Sequence, residues 1–513
     1  MSYIKVNHPQ IQIDIDVDRL HQQGFWIPNR LWATTNYVFP ERVKRIELQK
    51  NAQFPVLSPA VQDFKDWANQ TLVTDTDLKN FLTANYPTPT YLDAINAMIL
   101  DANASINAVY QSLTFHQRML LIFNMTEVYG DTITQLLNNN QIEWLEDSDE
   151  FFDLINAIIT NSPQFNYVPL SSTPIAQVGT PFNGLMAVGM GSETGYFLLK
   201  DQAFNRQLFS ILDAWHTYLG STDSLTYLDT ENAQQPGSWV SSQAYNAGVW
   251  KDFVIPNRQD RYLGFSSWTD FFTRTFQAGT RPFPPKSDSV VAIGCETTPW
   301  IYDANISPEK NALWIKGNVY SLADIFNGMS DAQGNLWADK FVNGQSYQGF
   351  LSATHYHRWH APIYGQLIQS QVFNGAYYNG SDEFGVTYFS EPEGFGETTD
   401  TWLGTASQQY LAQTAARAIY IFHNDSVGYV AMICIGMVEV SSVNIDPGFQ
   451  ISASDQPKDV DAGDEIGMFQ FGGSTHMLIF ENGKVNLEQW ATDINQNNST
   501  VHNLGSTIGH AVS

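Results

Sequence analysis

Two short stretches concentrate the residue types that do chemistry. The first is Gly467-Met468-Phe469-Gln470-Phe471-Gly472-Gly473-Ser474-Thr475, where two glycines run directly into a Ser-Thr pair between two strand-like segments. Glycine has no Cβ, so Gly472 and Gly473 can take positive φ and let another group approach the backbone closely. A hydroxyl placed directly after such a bond can attack the carbonyl before it, here Ser474 on Gly473. Taken alone, the same run reads as a β-hairpin turn. The second stretch is Leu351-Ser352-Ala353-Thr354-His355-Tyr356-His357-Arg358-Trp359-His360-Ala361-Pro362, with three of the chain's eleven histidines inside six positions. Zinc ligation, buried structural histidines and acid–base work all suit such a cluster. No acidic or cysteine partner with recognisable ligand spacing stands nearby, which counts against a metal. On a turn or short helix His357 and His360, three apart, would share a face. One could then orient a nucleophile while the other handles a substrate proton.

The elements that must position these residues are bounded by composition. A chain of 513 residues, 43% hydrophobic and 15% charged, is that of a folded globular protein and is long enough for two or three domains. Lys plus Arg number 25 against 52 Asp plus Glu, and a formal charge of −27 repels nucleic acid and anionic lipid. With only Cys295 and Cys434 there is no disulfide framework, and a reducing compartment is expected. Residues 1–18 are polar and acidic, unlike a secretory signal, and the longest apolar run, Tyr429 to Val438, is too short to cross a bilayer. A cytoplasmic protein without membrane or nucleic-acid partners is the expectation.

The pattern predicts an α+β protein. Residues 1–60, rich in aromatics and proline, read as an irregular N-terminal segment. Residues 61–220 read as helical: Val61, Phe64, Lys65 and Ala68 keep helical spacing, as do runs over 91–137, 150–159 and 197–219. Between them, 161–191 carries many Gly and Pro and reads as a long connection. Over 250–490 the period turns to two, with strands expected at 290–293, 313–316, 366–373, 418–422 and 427–440 and short helices at 268–276 and 322–326. A polar tail occupies 491–513.

Four motifs in this order resemble the phosphatidylserine decarboxylase superfamily: Phe271-Phe272-Thr273-Arg274 with Arg281-Pro282; Ile315-Lys316-Gly317-Asn318-Val319-Tyr320-Ser321-Leu322; Tyr356-His357-Arg358-Trp359-His360-Ala361-Pro362; and Gly467 to Thr475. Together they cover about residues 260–485 and imply that 250–490 is a catalytic domain of that type. The family's Ser-Pro-x-Asp-Gly is replaced by Ala292-Ile293-Gly294-Cys295-Glu296-Thr297, and its Leu-Gly-Ser-Thr by Gly472-Gly473-Ser474-Thr475. With Gln348-Gly349-Phe350-Leu351 and the helical N-terminal region, these departures resemble the branch containing the fungal tryptophan decarboxylase.

The resemblance implies self-cleavage between Gly473 and Ser474, with Ser474 becoming a covalent pyruvoyl group that replaces pyridoxal phosphate and needs no metal. By the same resemblance Glu296, in place of the usual Asp, orients His360, and His360 is the base for Ser474, an orienter–base–nucleophile arrangement. His357 serves decarboxylation; His355 has no counterpart and is left as structural. The implied function is release of CO2 from a free L-amino acid of aromatic, tryptophan-like type through a Schiff base, with the cleaved 474–513 chain as the enzyme's own partner. Two alternatives stay open: a phosphatidylserine decarboxylase making phosphatidylethanolamine, and an uncleaved, non-catalytic binding protein. A serine hydrolase does not fit, since Gly472-Gly473-Ser474-Thr475-His476 lacks the last glycine of the Gly-x-Ser-x-Gly elbow.

Overall fold

Alternating apolar residues over 417–435 and 474–480 build the centre of the largest sheet. The structure, a computed structural model, describes residues 3–8, 11–16, 57–73, 148–168, 175–178, 202–306, 322–351, 356–375, 415–436, 442–471, 474–494 and 500–512. The chain divides into two units, Met1–Asn161 with Pro181–Trp215 and Tyr378–Ser407, and Ser162–Thr180 with His216–Tyr377 and Gln408–Ser513.

The first unit contains the hairpin β1 (Tyr3–His8) and β2 (Ile11–Asp16), helices α1 (Pro59–Val73) and α2 (Ser148–Ile159), and α3 (Gln202–Leu219) as far as Trp215. The apolar spacing of α1 turns Val61 and Phe64 inward, and both are fully buried. Phe64 meets Phe152 of α2 edge-on at 5.3 Å and Phe204 of α3 at 5.8 Å. The antiparallel hairpin corrects the expectation of an irregular start: Ile11, Ile13 and Ile15 alternate with polar residues, the period of a strand. The helices expected over 91–137 lie outside the described residues.

The second unit is β-rich. Its first hairpin, β3 (Phe165–Val168) with β4 (Ile175–Val178), lies inside the stretch expected to be a connection. The helix at the first motif, α4, is Trp268–Phe272. A seven-stranded antiparallel sheet has β6 (Thr298–Asp303), β7 (Gln345–Leu351), β15 (Ser474–Phe480), β11 (Gly428–Ile435), β10 (Arg417–Asn424), β9 (Gly365–Phe373) and β13 (Lys458–Val460) side by side in that order. A three-stranded sheet carries β12 (Val443–Ile445), β14 (Glu465–Phe469) and β8 (Arg358–His360), and another carries β16 (Val485–Leu487), β17 (Thr507–Ala511) and β5 (Val290–Ala292). The strand expected at 313–316 lies outside the described residues.

Strand alternation sends side chains to two buried faces of the large sheet. On one, Ile419, Ile421, Ile433, Ile435, Met477 and Ile479 pack under α5 (Leu322–Phe326) and α6 (Trp337–Lys340) through Ile325, Phe326 and Trp337. On the other, Tyr420 meets Trp359 of β8 at 6.2 Å and its hydroxyl donates to Ile466 O of β14 at 2.9 Å. Trp359 also meets Phe469 of β14 edge-on at 4.6 Å. The histidine motif is thus fixed against the sheet by a tryptophan standing between the two histidines in sequence.

Candidate active site

Ser474 is the first residue of β15, an interior strand of the seven-stranded sheet. It pairs with Leu351 of β7, and the next residue, Thr475, pairs with Phe350 on one side and Ile435 of β11 on the other. The Thr475 hydroxyl donates to Gly349 O at 2.8 Å and accepts from Gln348 Nε2 at 3.3 Å, pinning the backbone just after the serine. Gly472 and Gly473 lie outside the described residues, as does His355.

Glu296 reaches the same end of this sheet. Thr298 of β6 and Thr475 of β15 both pair with Phe350, so Glu296, two residues before Thr298, and Ser474, one before Thr475, lie at the same end of the sheet on strands separated by β7. The Glu296 carboxylate is buried and accepts from Arg281 Nε at 2.6 Å, while Arg281 Nη1 donates to Asp252 at 3.1 Å. The Arg281 guanidinium lies 4.1 Å from the Phe276 ring centre, and Phe276 stacks on Tyr356 at 4.4 Å. Arg281, part of the first motif, thus holds the Glu296 carboxylate.

The two histidines do not share a face. The backbone is extended from His357 into β8, so residues three apart project to opposite sides; a helical turn would have aligned them. His357 is fully buried, and its ring stacks on Phe272 of α4 at 4.2 Å. Phe272 stacks in turn on Trp268 at 5.0 Å, and both approach Phe471, at 5.9 and 5.1 Å, just before the two glycines. The Phe469 N–H donates to His357 O at 2.9 Å. His357 therefore belongs to the aromatic packing that leads into the Gly472–Ser474 segment.

His360 has polar surroundings. Its Nδ1 is 2.7 Å from Gly463 O and its Nε2 is 2.9 Å from the Tyr356 hydroxyl, while its N–H donates to Gly294 O at 2.9 Å. Glu296 and His360 are not hydrogen-bonded to each other; their side-chain partners are Arg281 on one side, Gly463 and Tyr356 on the other. Burial pushes the His360 imidazole below its ordinary range, against the opposing pull of the Gly463 carbonyl and Glu465. Neutral imidazole, the form that accepts a proton, is thereby favoured.

The sequence alone assigns no role to Tyr356, Gly463 or His476. His476 is two residues after Ser474 on β15, fully buried, with neither ring nitrogen hydrogen-bonded among the described residues. Burial alone pushes it down to about 3. Arg274, in the first motif, is a structural tie: its guanidinium donates to Val249 O and Phe271 O and lies 4.0 Å from the Phe253 ring centre. Among the described residues, no group of three His, Cys, Asp or Glu could hold a metal ion, and no helix is long and apolar enough to cross a membrane.

Comparison with known proteins agrees with this arrangement of motifs. Two family models described as phosphatidylserine decarboxylase match residues 268–510 and 103–247. The decarboxylase iboD of Amanita muscaria is 34% identical over 315 residues, 59% of this chain and 84% of that protein. The L-tryptophan decarboxylase of Psilocybe cubensis is 26% identical over 357 residues, 64% and 75% of the two chains. The phosphatidylserine decarboxylase proenzyme of Anoxybacillus flavithermus is 26% identical over 225 residues, 44% and 70%. The family is pyruvoyl-dependent. The chain belongs to the phosphatidylserine decarboxylase family, in its fungal tryptophan decarboxylase-like branch, and is a decarboxylase.

Proposed function

We propose that the chain cuts itself between Gly473 and Ser474 and that the two-chain enzyme decarboxylates a free L-amino acid of aromatic type. The observation that carries this reading is the convergence on the start of β15: Ser474 and Glu296 at one sheet end, and His357 joined through Phe272 and Phe471 to the residues entering the cut. In the cut, Ser474 Oγ adds to the Gly473 carbonyl carbon while His360 Nε2 takes the hydroxyl proton. The Gly473–Ser474 C–N bond breaks and an ester remains. Loss of the Ser474 Cα proton expels the Gly473 carboxylate, and water replaces the nitrogen of the resulting dehydroalanine, releasing ammonia and leaving a ketone.

A group made in this way fits these residues. It requires a serine at the new N-terminus, and Ser474 supplies it at the start of a strand hydrogen-bonded on both edges. The 474–513 piece also contributes β16 and β17, the latter paired with β5, so the fold retains it after the cut. Once formed, the pyruvoyl group supplies a carbonyl that binds the substrate amine and takes up the electrons left when CO2 departs. The chain's own residues do the rest. The apolar rings of Trp268, Phe272 and Phe471 disfavour a carboxylate charge beside them. His357 delivers the proton to the substrate α-carbon after CO2 leaves. Glu296, held by Arg281, compensates the positive charge that appears on His360.

The aromatic amino-acid reading draws on the Psilocybe relative, whose name states that it is an L-tryptophan decarboxylase, and on a net charge of −27 that repels anionic lipid. The bacterial relatives named for phosphatidylserine define the competing substrate. Carbon dioxide release is therefore measured with free L-tryptophan, other free aromatic L-amino acids and phosphatidylserine vesicles. Turnover of a free aromatic amino acid with none on vesicles is expected; the reverse assigns the enzyme to the lipid.

A further inference from the structure

His360 sits in a clamp whose chemistry fixes more than its position. The Gly463 carbonyl has no proton to give, so the 2.7 Å contact makes Nδ1 the donor. Nε2 then carries the lone pair, and the Tyr356 O–H at 2.9 Å donates to it. Both partners are themselves held. Gly463 has φ +100°, a conformation L side chains rarely adopt, and an added Cβ would come within 2.9 Å of Phe283. Its N–H donates to Ala361 O at 2.9 Å, and the Ala361 N–H donates to Asp464 O at 2.8 Å, so the loop is tied to the residue after His360. The Tyr356 ring is 3% exposed and stacked on Phe276.

We propose that Gly463 and Tyr356 are the positioning residues of self-cleavage: the Gly463 carbonyl holds His360 in the Nδ1–H tautomer, and the Tyr356 hydroxyl occupies the Nε2 lone pair until the Ser474 hydroxyl replaces it. The proposal rests on His360 being the base for that cleavage. It gives a backbone carbonyl the orienting task that the family resemblance implies for a carboxylate, and leaves Glu296 as a charge beyond the clamp. Tautomer control by the partner of the distal ring nitrogen is a general property of imidazole bases.

Among the described residues, charged and titratable groups face the clamp from several elements. Arg358, on the same strand, is ion-paired to Glu465 on β14. Asp464 adjoins Gly463 in the loop, and Glu296 is ion-paired to Arg281. Tyr356 is pushed well above the ordinary tyrosine range, first by burial and then by Glu465, with smaller contributions from Cys295 and Glu296 against Arg358. Its hydroxyl therefore stays protonated and able to donate at neutral pH.

The test uses the full-length chain made uncleavable by Ser474→Ala, with 15N-labelled histidine. NMR of the ring nitrogens is expected to show His360 neutral at pH 7 in the Nδ1–H form. On the same background Tyr356→Phe, which keeps the ring and its stacking, removes a donor that stabilises the neutral imidazole. The His360 pKa is expected to rise by about half to one pH unit. An Nε2–H tautomer in the parent, or an unmoved pKa in a folded Tyr356→Phe, overturns the proposal. The tautomer is read on the parent, so a misfolded variant does not rescue it. The underlying reading fails separately, if His360→Ala in an otherwise native chain cleaves at the parental rate.

Discussion

Three residues apart, His357 and His360 have almost opposite surroundings. His357 lies face to face with Phe272, in a stack continued by Trp268 and Phe471; His360 has a carbonyl on one nitrogen and a hydroxyl on the other. The extended backbone makes this possible, because an odd spacing along a strand delivers neighbouring side chains to different sides. An aromatic environment suits a step in which a carboxylate charge is lost, and a polar clamp suits one in which a serine proton must be taken up. On the proposed function, one short motif serves two reactions in succession.

Exchange of function between these regions is the sharpest way to break the comparison. His360→Ala is expected to remain a single chain, with cleavage slowed by several orders of magnitude, as when a triad member is removed. His357→Ala is expected to cleave but to release CO2 poorly. Denaturing gels and a CO2 assay on the same preparations separate the two. If both variants stay uncut, or both cleave at the parental rate, the division of labour is wrong.

Glu296→Gln tests how far charge reaches into the clamp. Because Glu296 is bonded to Arg281 and not to His360, cleavage should slow by well under the roughly 10⁴ lost with a directly bonded triad carboxylate. The partly buried Arg281, left with Asp252 as its remaining carboxylate, should lower stability by roughly 1 kcal/mol, measured by denaturant unfolding. Glu296→Asp keeps the charge on a shorter stem and should fall between parent and Gln in a time course of fragment appearance. Parental kinetics in both would remove Glu296 from the cleavage machinery.

A smaller effect is expected from His476, which shares strand β15 with Ser474. Burial lowers this imidazole from an ordinary 6.5 to about 3. Between those values the unfolded chain binds a proton there and the native chain does not, so falling pH favours unfolding, while above 6.5 the difference vanishes. The slope from one such group is roughly 1.4 kcal/mol per pH unit. His476→Leu should flatten the acid side of the stability profile by up to that slope. An unchanged profile would mean that His476 is not the buried neutral group described.

Much of this site was legible in the sequence because its parts are local. Ser474 follows its glycines directly, His357 and His360 lie in one seven-residue motif, and Glu296 stands where a related carboxylate is expected. The missing parts are contacts between distant segments. Gly463 is 103 residues from His360, and nothing in its neighbourhood announces that its carbonyl turns toward an imidazole. Tyr356 was inside the motif, yet a tyrosine beside a histidine reads as packing until the hydroxyl is seen on Nε2. The hairpin of β1 and β2 carried a strand period that the surrounding proline and aromatic content obscured. The shared face expected for His357 and His360 assumed helical geometry, which the β8–β14 pairing excludes.

Self-cleavage as proposed leaves this chain with a prosthetic group of its own making at Ser474. Intact mass spectrometry of freshly purified protein, under denaturing conditions, addresses it most directly. Two chains are predicted, residues 1–473 and 474–513, the second lighter than its encoded peptide by one ammonia because its amino terminus is a ketone; under native conditions they should co-purify. A single uncut chain of 57.6 kDa from a preparation that decarboxylates its substrate would contradict the account.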